Sequence, residues 1–206
     1  DYDLDGDLDL YLCGYVEFDR ARARNRPIVA GRPAVWTNPV SYQALPNLLL
    51  QNDGGGVFTD VTESTGVANP AGKSMQAIFC DFNNDGWPDI FVGNDVGTAD
   101  AMYLNNQDGT FKDVSKISST FDRRASMGMA VGDVYHHGKM DLFTTHWVNE
   151  DHALWKNLST AGDPSGILME DVGPFTGILE IKSTADVAWG VNLADFDNDG
   201  HLDIIL

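Results

Sequence analysis

The sequence predicts an all-β chain, a β-propeller built of four-stranded antiparallel blades and present as a fragment of about three blades plus the start of a fourth. Three observations predict it. A nine-residue acidic loop recurs along the chain, each copy lies between apolar strand patterns, and Gly-containing hairpin turns stand at a matching later place in two of the repeats.

The intact loops are Asp1 to Asp9, Asp81 to Asp89 and Asp195 to Asp203, and all three read D-x-[DN]-x-D-G-x-x-D. A worn copy runs from Asp133 to Asp141. It keeps Asp133, Gly138 and Asp141 but carries Tyr135 and His137 where the other loops have acidic or amide side chains. The four starts are 80, 52 and 62 residues apart. Blades of this kind take roughly 40 to 50 residues, so the first interval must hold an insertion.

First strands are expected at Ser74 to Cys80, Ser126 to Gly132 and Ala188 to Ala194, where apolar residues alternate with small ones. Within them Gln76, Gly128 and Gly190 share one column and Cys80, Gly132 and Ala194 another, as crowding near a propeller axis would require. Second strands follow the loops at Leu10 to Cys13, Ile90 to Gly93, Leu142 to Thr145 and Ile204 to Leu206. These are continuous apolar runs, expected where both faces of a strand are covered. Third strands are expected at Leu48 to Gln51, Met102 to Asn105 and Ala153 to Lys156, and fourth strands at Val57 to Val61, Phe111 to Val114 and Leu168 to Val172. Asp53-Gly54 and Asp108-Gly109 lie between third and fourth strands and supply the positive φ of tight hairpins.

The units therefore cover residues 1–66, 73–118, 125–178 and 187–206, with residues 16–46 inserted in the first. The insertion carries Arg20, Arg22, Arg24, Arg26 and Arg32 against only Glu17 and Asp19. It is read either as a recognition loop or as a segment docked on its acidic neighbours, with Phe18, Ile28, Val35, Trp36 and Tyr42 as apolar anchors. A chain that opens inside one motif and stops inside a strand pattern reads as a fragment, with further blades of the same polypeptide as its neighbours.

On these loops, and on the blade endings Asn52 to Val61 and Asn106 to Val114, the sequence resembles FG-GAP or VCBS-type repeat proteins. The resemblance is to the acidic, cartilage acidic protein-like family that carries an ASPIC/UnbV domain after its propeller, a domain this sequence lacks. It implies a calcium-binding propeller of a secreted or cell-surface protein, extracellular or periplasmic, acting in adhesion or in recognition of a protein or carbohydrate. The alternative is an accessory propeller of a larger extracellular enzyme of lyase or phospholipase type.

Calcium is a hard cation that takes six to eight oxygen ligands, and side chains at loop positions 1, 3, 5 and 9 can converge on one ion. The expected ligands are Asp1, Asp3, Asp5 and Asp9, then Asp81, Asn83, Asp85 and Asp89, then Asp195, Asp197, Asp199 and Asp203. Asp7, Trp87 and His201 add backbone carbonyls, and Gly6, Gly86 and Gly200 take the positive φ of the bend. A solvated acidic turn is the other reading. An EF-hand is not supported, because position 12 is Leu12, Val92 or Leu206 rather than a bidentate Glu. The worn loop is expected to stay metal-free, with Tyr135 and His137 hydrogen-bonding to the backbone. A transition-metal site drawn from His136, His137, His146 and His152 is the less favoured alternative.

The chain has 31 acidic against 13 basic residues and a formal charge of −18, which disfavours nucleic acid and attracts cations. No apolar run approaches the roughly 20 residues of a membrane helix, so no membrane insertion is expected. Two cysteines, Cys13 and Cys80, make neither a disulfide scaffold nor a CxxC zinc module. No GxSxG, HExxH or Walker pattern occurs, and a non-catalytic chain is expected. Trp87, Trp147, Trp155 and Trp189 read as packing residues more readily than as a sugar-stacking surface. Asn157-Leu158-Ser159 is a glycosylation sequon of little weight.

Overall fold

The computed structural model describes residues 1–21, 28, 29, 31–33, 38–161, 166–180 and 187–206. The chain folds as successive antiparallel meanders. Strands β1 (Leu10–Leu12), β4 (Leu48–Asn52) and β5 (Phe58–Asp60) form a three-stranded sheet. A four-stranded sheet follows from β6 (Ser74–Cys80), β7 (Asp89–Asn94), β8 (Ala101–Asn105) and β9 (Phe111–Asp113). A second comprises β10 (Ser126–Gly132), β11 (Asp141–His146), β12 (Ala153–Asn157) and β13 (Met169–Asp171). Strands β14 (Asn192–Ala194) and β15 (Asp203–Ile205) begin another. In the insertion, β2 (Ile28–Val29) pairs with β3 (Arg32–Pro33).

Within each sheet the strands pair in chain order, with β2 and β3 set apart between β1 and β4, and the sheets do not close on one another. This is an all-β stack of propeller blades. Burial follows from stacking. All residues of β7, β8 and β11 are buried, whereas β1 and β15 alternate exposed and half-buried residues. One core joins Phe82, Phe91, Met102 and Leu104 to Met129, Leu142, Trp155 and Met169, and so binds the second sheet to the third. Another joins Tyr2 and Leu49 to Ile90, Val92, Tyr103 and Phe111, binding the first to the second.

The inner strands also interlock through polar atoms. The Gln76 side chain donates to the Met129 carbonyl at 3.3 Å and accepts from the Met129 N–H at 2.9 Å, in effect extending the β6 backbone towards β10. The hairpin turns form as their dipeptides dictate, with Gly54 at φ +84° and Gly109 at φ +83°.

Two expectations need correction. The strand foreseen from Ala188 is only Asn192–Ala194, because no preceding residue pairs with β15. The column of crowded small residues also divides. A Cβ on Gly128 would run into the Trp189 carbonyl, and one on Gly132 would come within 2.7 Å of Leu202 Cδ1, but one on Gly190 would meet nothing within 4 Å. Among the described residues nothing stands beside Gly190 to crowd it. Gly128→Ala is therefore expected to cost about 1–3 kcal/mol, as overpacking against a backbone atom does, and Gly190→Ala to be nearly neutral. Denaturant unfolding of the two variants measures the difference, and equal midpoints would refute the assignment of crowding.

The flanks of the insertion are tied to the blades. Val16 bridges Ala44, and the Tyr15 hydroxyl donates to Asp95 at 2.5 Å. Of the foreseen anchors, Tyr42 is buried and stacks on Phe18, which remains exposed. Val35, Trp36, Arg22, Arg24 and Arg26 lie outside the described residues, as does the side chain of Ile28.

Candidate metal centres

The loops at Asp81, Asp133 and Asp195 each join a first strand to a second, and the loop at Asp1 leads into the second strand β1, so all four emerge at the same end of the blades. Their backbone is held by a common set of bonds. The first carboxylate accepts the N–H of the bend glycine: Asp1 from Gly6 at 3.2 Å, Asp81 from Gly86 at 2.8 Å, Asp195 from Gly200 at 2.9 Å and Asp133 from Gly138 at 2.8 Å. Gly6, Gly86 and Gly200 adopt φ of +99°, +91° and +91°, a region closed to most side chains. The fourth loop residues Leu4, Asn84, His136 and Asn198 are left-handed too, at φ between +51° and +60°. The sequence reading missed that second kink. Asn at two of the four positions is its signal.

The ninth carboxylate ties the loop to the sheet. Asp89 accepts the Phe82 N–H at 3.0 Å and the Asn105 N–H at 2.9 Å, and Asp9 does the same with Tyr2 and Asn52. Asp141 does so with Val134 and Asn157, and Asp203 with Phe196. Each oxygen so used keeps a further lone pair for a cation.

In the first loop Asp1, Asp3 and Asp5 bring one oxygen each within 4.8 Å of one another, as do Asp195, Asp197 and Asp199. Asp1 Oδ1 is buried and has no hydrogen-bond partner. A buried carboxylate oxygen without a donor is costly, and a hard cation is the group that suits it. In the second loop Asp81 and Asn83 both accept the Asp85 N–H at 3.1 Å, and Asp85 accepts from Trp87 N at 2.9 Å. The donor sets of all three loops therefore fit calcium. Asp89 adds electrostatic support: burial, with the Asp85 and Asp81 charges beside it, pushes its carboxyl up to about 7 despite the Asn105 and Phe82 donors. A bound cation would hold it ionised.

The worn loop keeps the backbone and changes the chemistry. His137 Nδ1 lies 2.9 Å from Asp133 Oδ1, and His137 Nε2 lies 3.4 Å from Asp141 Oδ1. The imidazole thus spans the first and ninth carboxylates. This corrects the expectation that His137 bonds to backbone: the ring meets side chains, although its own N–H does hold Asp133. The Tyr135 ring instead packs beneath Lys156 Nζ, 4.5 Å from the ring centre. The four histidines also separate. His136 pairs with exposed His201 at 3.1 Å, while His146 and His152 lie buried at the other end of the blades.

Of the tryptophans, Trp155 is buried and Trp87 half-buried, but Trp147 and Trp189 are exposed and meet edge to face at 6.2 Å. The sequon asparagine, Asn157, is fully buried, and its amide donates to Phe82 O at 2.7 Å and Met140 O at 3.0 Å. A glycan cannot be carried there in the folded chain. Asn105 makes the same pair of bonds to Tyr2 O and Pro88 O. Each of these amides therefore staples its own loop to that of the preceding blade. The signal lay in the asparagine recurring at the end of each third strand, Asn52, Asn105 and Asn157.

The family model for the FG-GAP-like repeat matches residues 1–92 and 81–144. The chain belongs to the FG-GAP-like repeat family. Within it, the chain is 27% identical over 175 residues to cartilage acidic protein 1 of Xenopus tropicalis, covering 78% of this chain and 25% of that protein. It is equally 27% identical over 176 residues to the Mus musculus and Homo sapiens proteins of the same name, covering 78% of this chain. The chain spans about a quarter of the length of these relatives. Among the described residues no helix is long and apolar enough to cross a membrane.

Proposed function

We propose that this FG-GAP repeat chain is a non-catalytic, calcium-binding recognition module of a secreted or cell-surface protein. The observation that carries the calcium reading is the buried Asp1 Oδ1 without a partner, within a loop whose carboxylates converge and whose sequence recurs twice more. The extracellular setting is drawn from the likeness to cartilage acidic protein 1 and from the millimolar calcium such loops need. Recognition of a protein or carbohydrate is supported by a cleft of about 550 Å³ at the end opposite the loops, where Tyr15, Asp95, Glu150, Trp147 and Trp189 meet. Exposed indole faces beside carboxylates suit sugar rings or cationic side chains.

Calorimetric titration tests the calcium reading. The loops at Asp1, Asp81 and Asp195 are expected to take calcium, and the loop at Asp133 is not. With a dissociation constant of about 10⁻⁴ M, calcium at about 1 mM stabilises the fold by roughly 1.4 kcal/mol per site. Asp85→Ala and Asp199→Ala should each remove one ion, and His137→Ala should remove none. Unchanged stoichiometry in both aspartate variants would refute the reading.

A further inference from the structure

The end of the blades opposite the acidic loops holds a second cluster of ligand-type side chains. Asp100 precedes β8, Asp122 lies in the connection between β9 and β10, and His146 ends β11. One oxygen of each aspartate and one ring nitrogen of His146 lie within 4.8 Å of one another. His146 is 0% exposed, and neither of its ring nitrogens has a hydrogen-bond partner. A neutral imidazole offers one donor and one acceptor; here Nδ1 is unused and Nε2 meets only Asp122, at a distance long for a hydrogen bond, so its burial is costly.

Comparison of the blades shows that these residue types are not needed for the fold. The residue before each third strand accepts the backbone N–H at the end of the second: Asn47 from Gly14 at 2.7 Å, Asp100 from Asn94 at 2.7 Å and His152 from His146 at 3.0 Å. A neutral amide serves in the first blade and an imidazole in the third, so the cap does not require the charge of Asp100. Burial pushes the Asp100 carboxyl well above the usual carboxylate range, against donors from Asn94 and Ser126. The residue that ends the second strand differs in the same way. Asn94 is satisfied by Ser74, Asn69 and Ala99, whereas the ring of His146 in the matching place is not.

We propose that Asp100, Asp122 and His146 form a buried site for a divalent transition-metal ion of the zinc type, separate from the calcium loops. A nitrogen and two carboxylate oxygens are the mixed donor set such ions take, and calcium is not suited by imidazole. His146 Nε2 stands 3.5 Å from Asp122 Oδ2. That is long for a hydrogen bond, yet two ligands at about 2.1 Å from a tetrahedral ion are separated by about 3.4 Å. The surroundings orient the ligands. Arg124 donates to Asp122 Oδ2 at 2.8 Å and to Asp171 Oδ2 at 2.7 Å, and Ser126 donates to Asp100 Oδ2 at 2.8 Å. His152 stacks on His146, with ring centres 6.4 Å apart.

The test titrates zinc into the whole chain in excess calcium, so that the acidic loops are filled. One zinc per chain is expected, lost in His146→Ala with calcium stoichiometry unchanged. Asp100→Asn, which keeps the shape and the backbone cap, should weaken zinc at least tenfold and keeps the test decisive if His146→Ala does not fold. Absence of zinc binding in the calcium-saturated chain would overturn the proposal. So would zinc retained undiminished by Asp100→Asn, or zinc lost instead on replacing His136 or His137, which would place it at the loops. None of these outcomes bears on calcium binding, so the two readings fail separately.

Discussion

Replacing Phe82 with Ala is expected to destabilise the chain by about 3–5 kcal/mol, whereas Phe196→Ala should change stability by less than about 1 kcal/mol. Both residues hold the second position of an intact loop, and the sequence alone does not separate them. The structure does. Phe82 is fully buried and packs with Met102, Trp155 and Met169 between two blades, whereas Phe196 is 51% exposed. Truncating Phe82 removes its apolar surface from the core and leaves a cavity that strands β8 and β12 cannot close without breaking their ladders. For a chain of this size the loss corresponds to a fall in melting temperature of about 10 °C. Thermal unfolding in saturating calcium measures it, and comparable shifts for both variants would show that position 2 does not bind blade to blade.

The difference between these phenylalanines marks where sequence reading succeeds and where it stops. The strand positions were legible because each blade repeats the same alternation of apolar run, acidic loop and turn, and local patterns survive translation along the chain. The second strands Asp89–Asn94 and Asp141–His146 contain their foreseen runs, buried as continuous apolar character demands. The loop geometry was legible for the same reason, since Gly6, Gly86 and Gly200 stand where only positive φ closes the turn. What depends on the neighbouring blade was not. Gly128 and Gly190 look alike in sequence, yet only Gly128 has a carbonyl against it. His137 reads as the loss of a ligand, but its ring spans Asp133 and Asp141 and takes over part of the organising role. The convergence of Asp100, Asp122 and His146 has no sequence signature at all, since it joins parts of two blades separated by 22 and 24 residues.

Asn157→Ala is expected to cost on the order of 3 kcal/mol, and Asn52→Ala less than about 1 kcal/mol. Asn157 is fully buried, and its side chain satisfies three backbone groups: the Phe82 and Met140 carbonyls, and the Ser159 N–H at 2.9 Å. Alanine removes all three bonds and leaves buried groups unpaired, each costing about 1–3 kcal/mol before relaxation. The Phe82 carbonyl belongs to the preceding blade, so the loss loosens the contact between two acidic loops as well as the turn after β12. Among the described residues the Asn52 side chain, at the same place in the first blade, bonds only Leu8 O at 3.1 Å and Gly54 N at 3.0 Å, where solvent can substitute. Leucine at position 157 sharpens the test, because it restores apolar volume but no donor; if the amide bonds carry the effect, Asn157→Leu stays as unstable as Asn157→Ala. Recovery of stability by leucine in denaturant unfolding would show that Asn157 acts through packing, and the idea of an amide staple between loops would then be wrong.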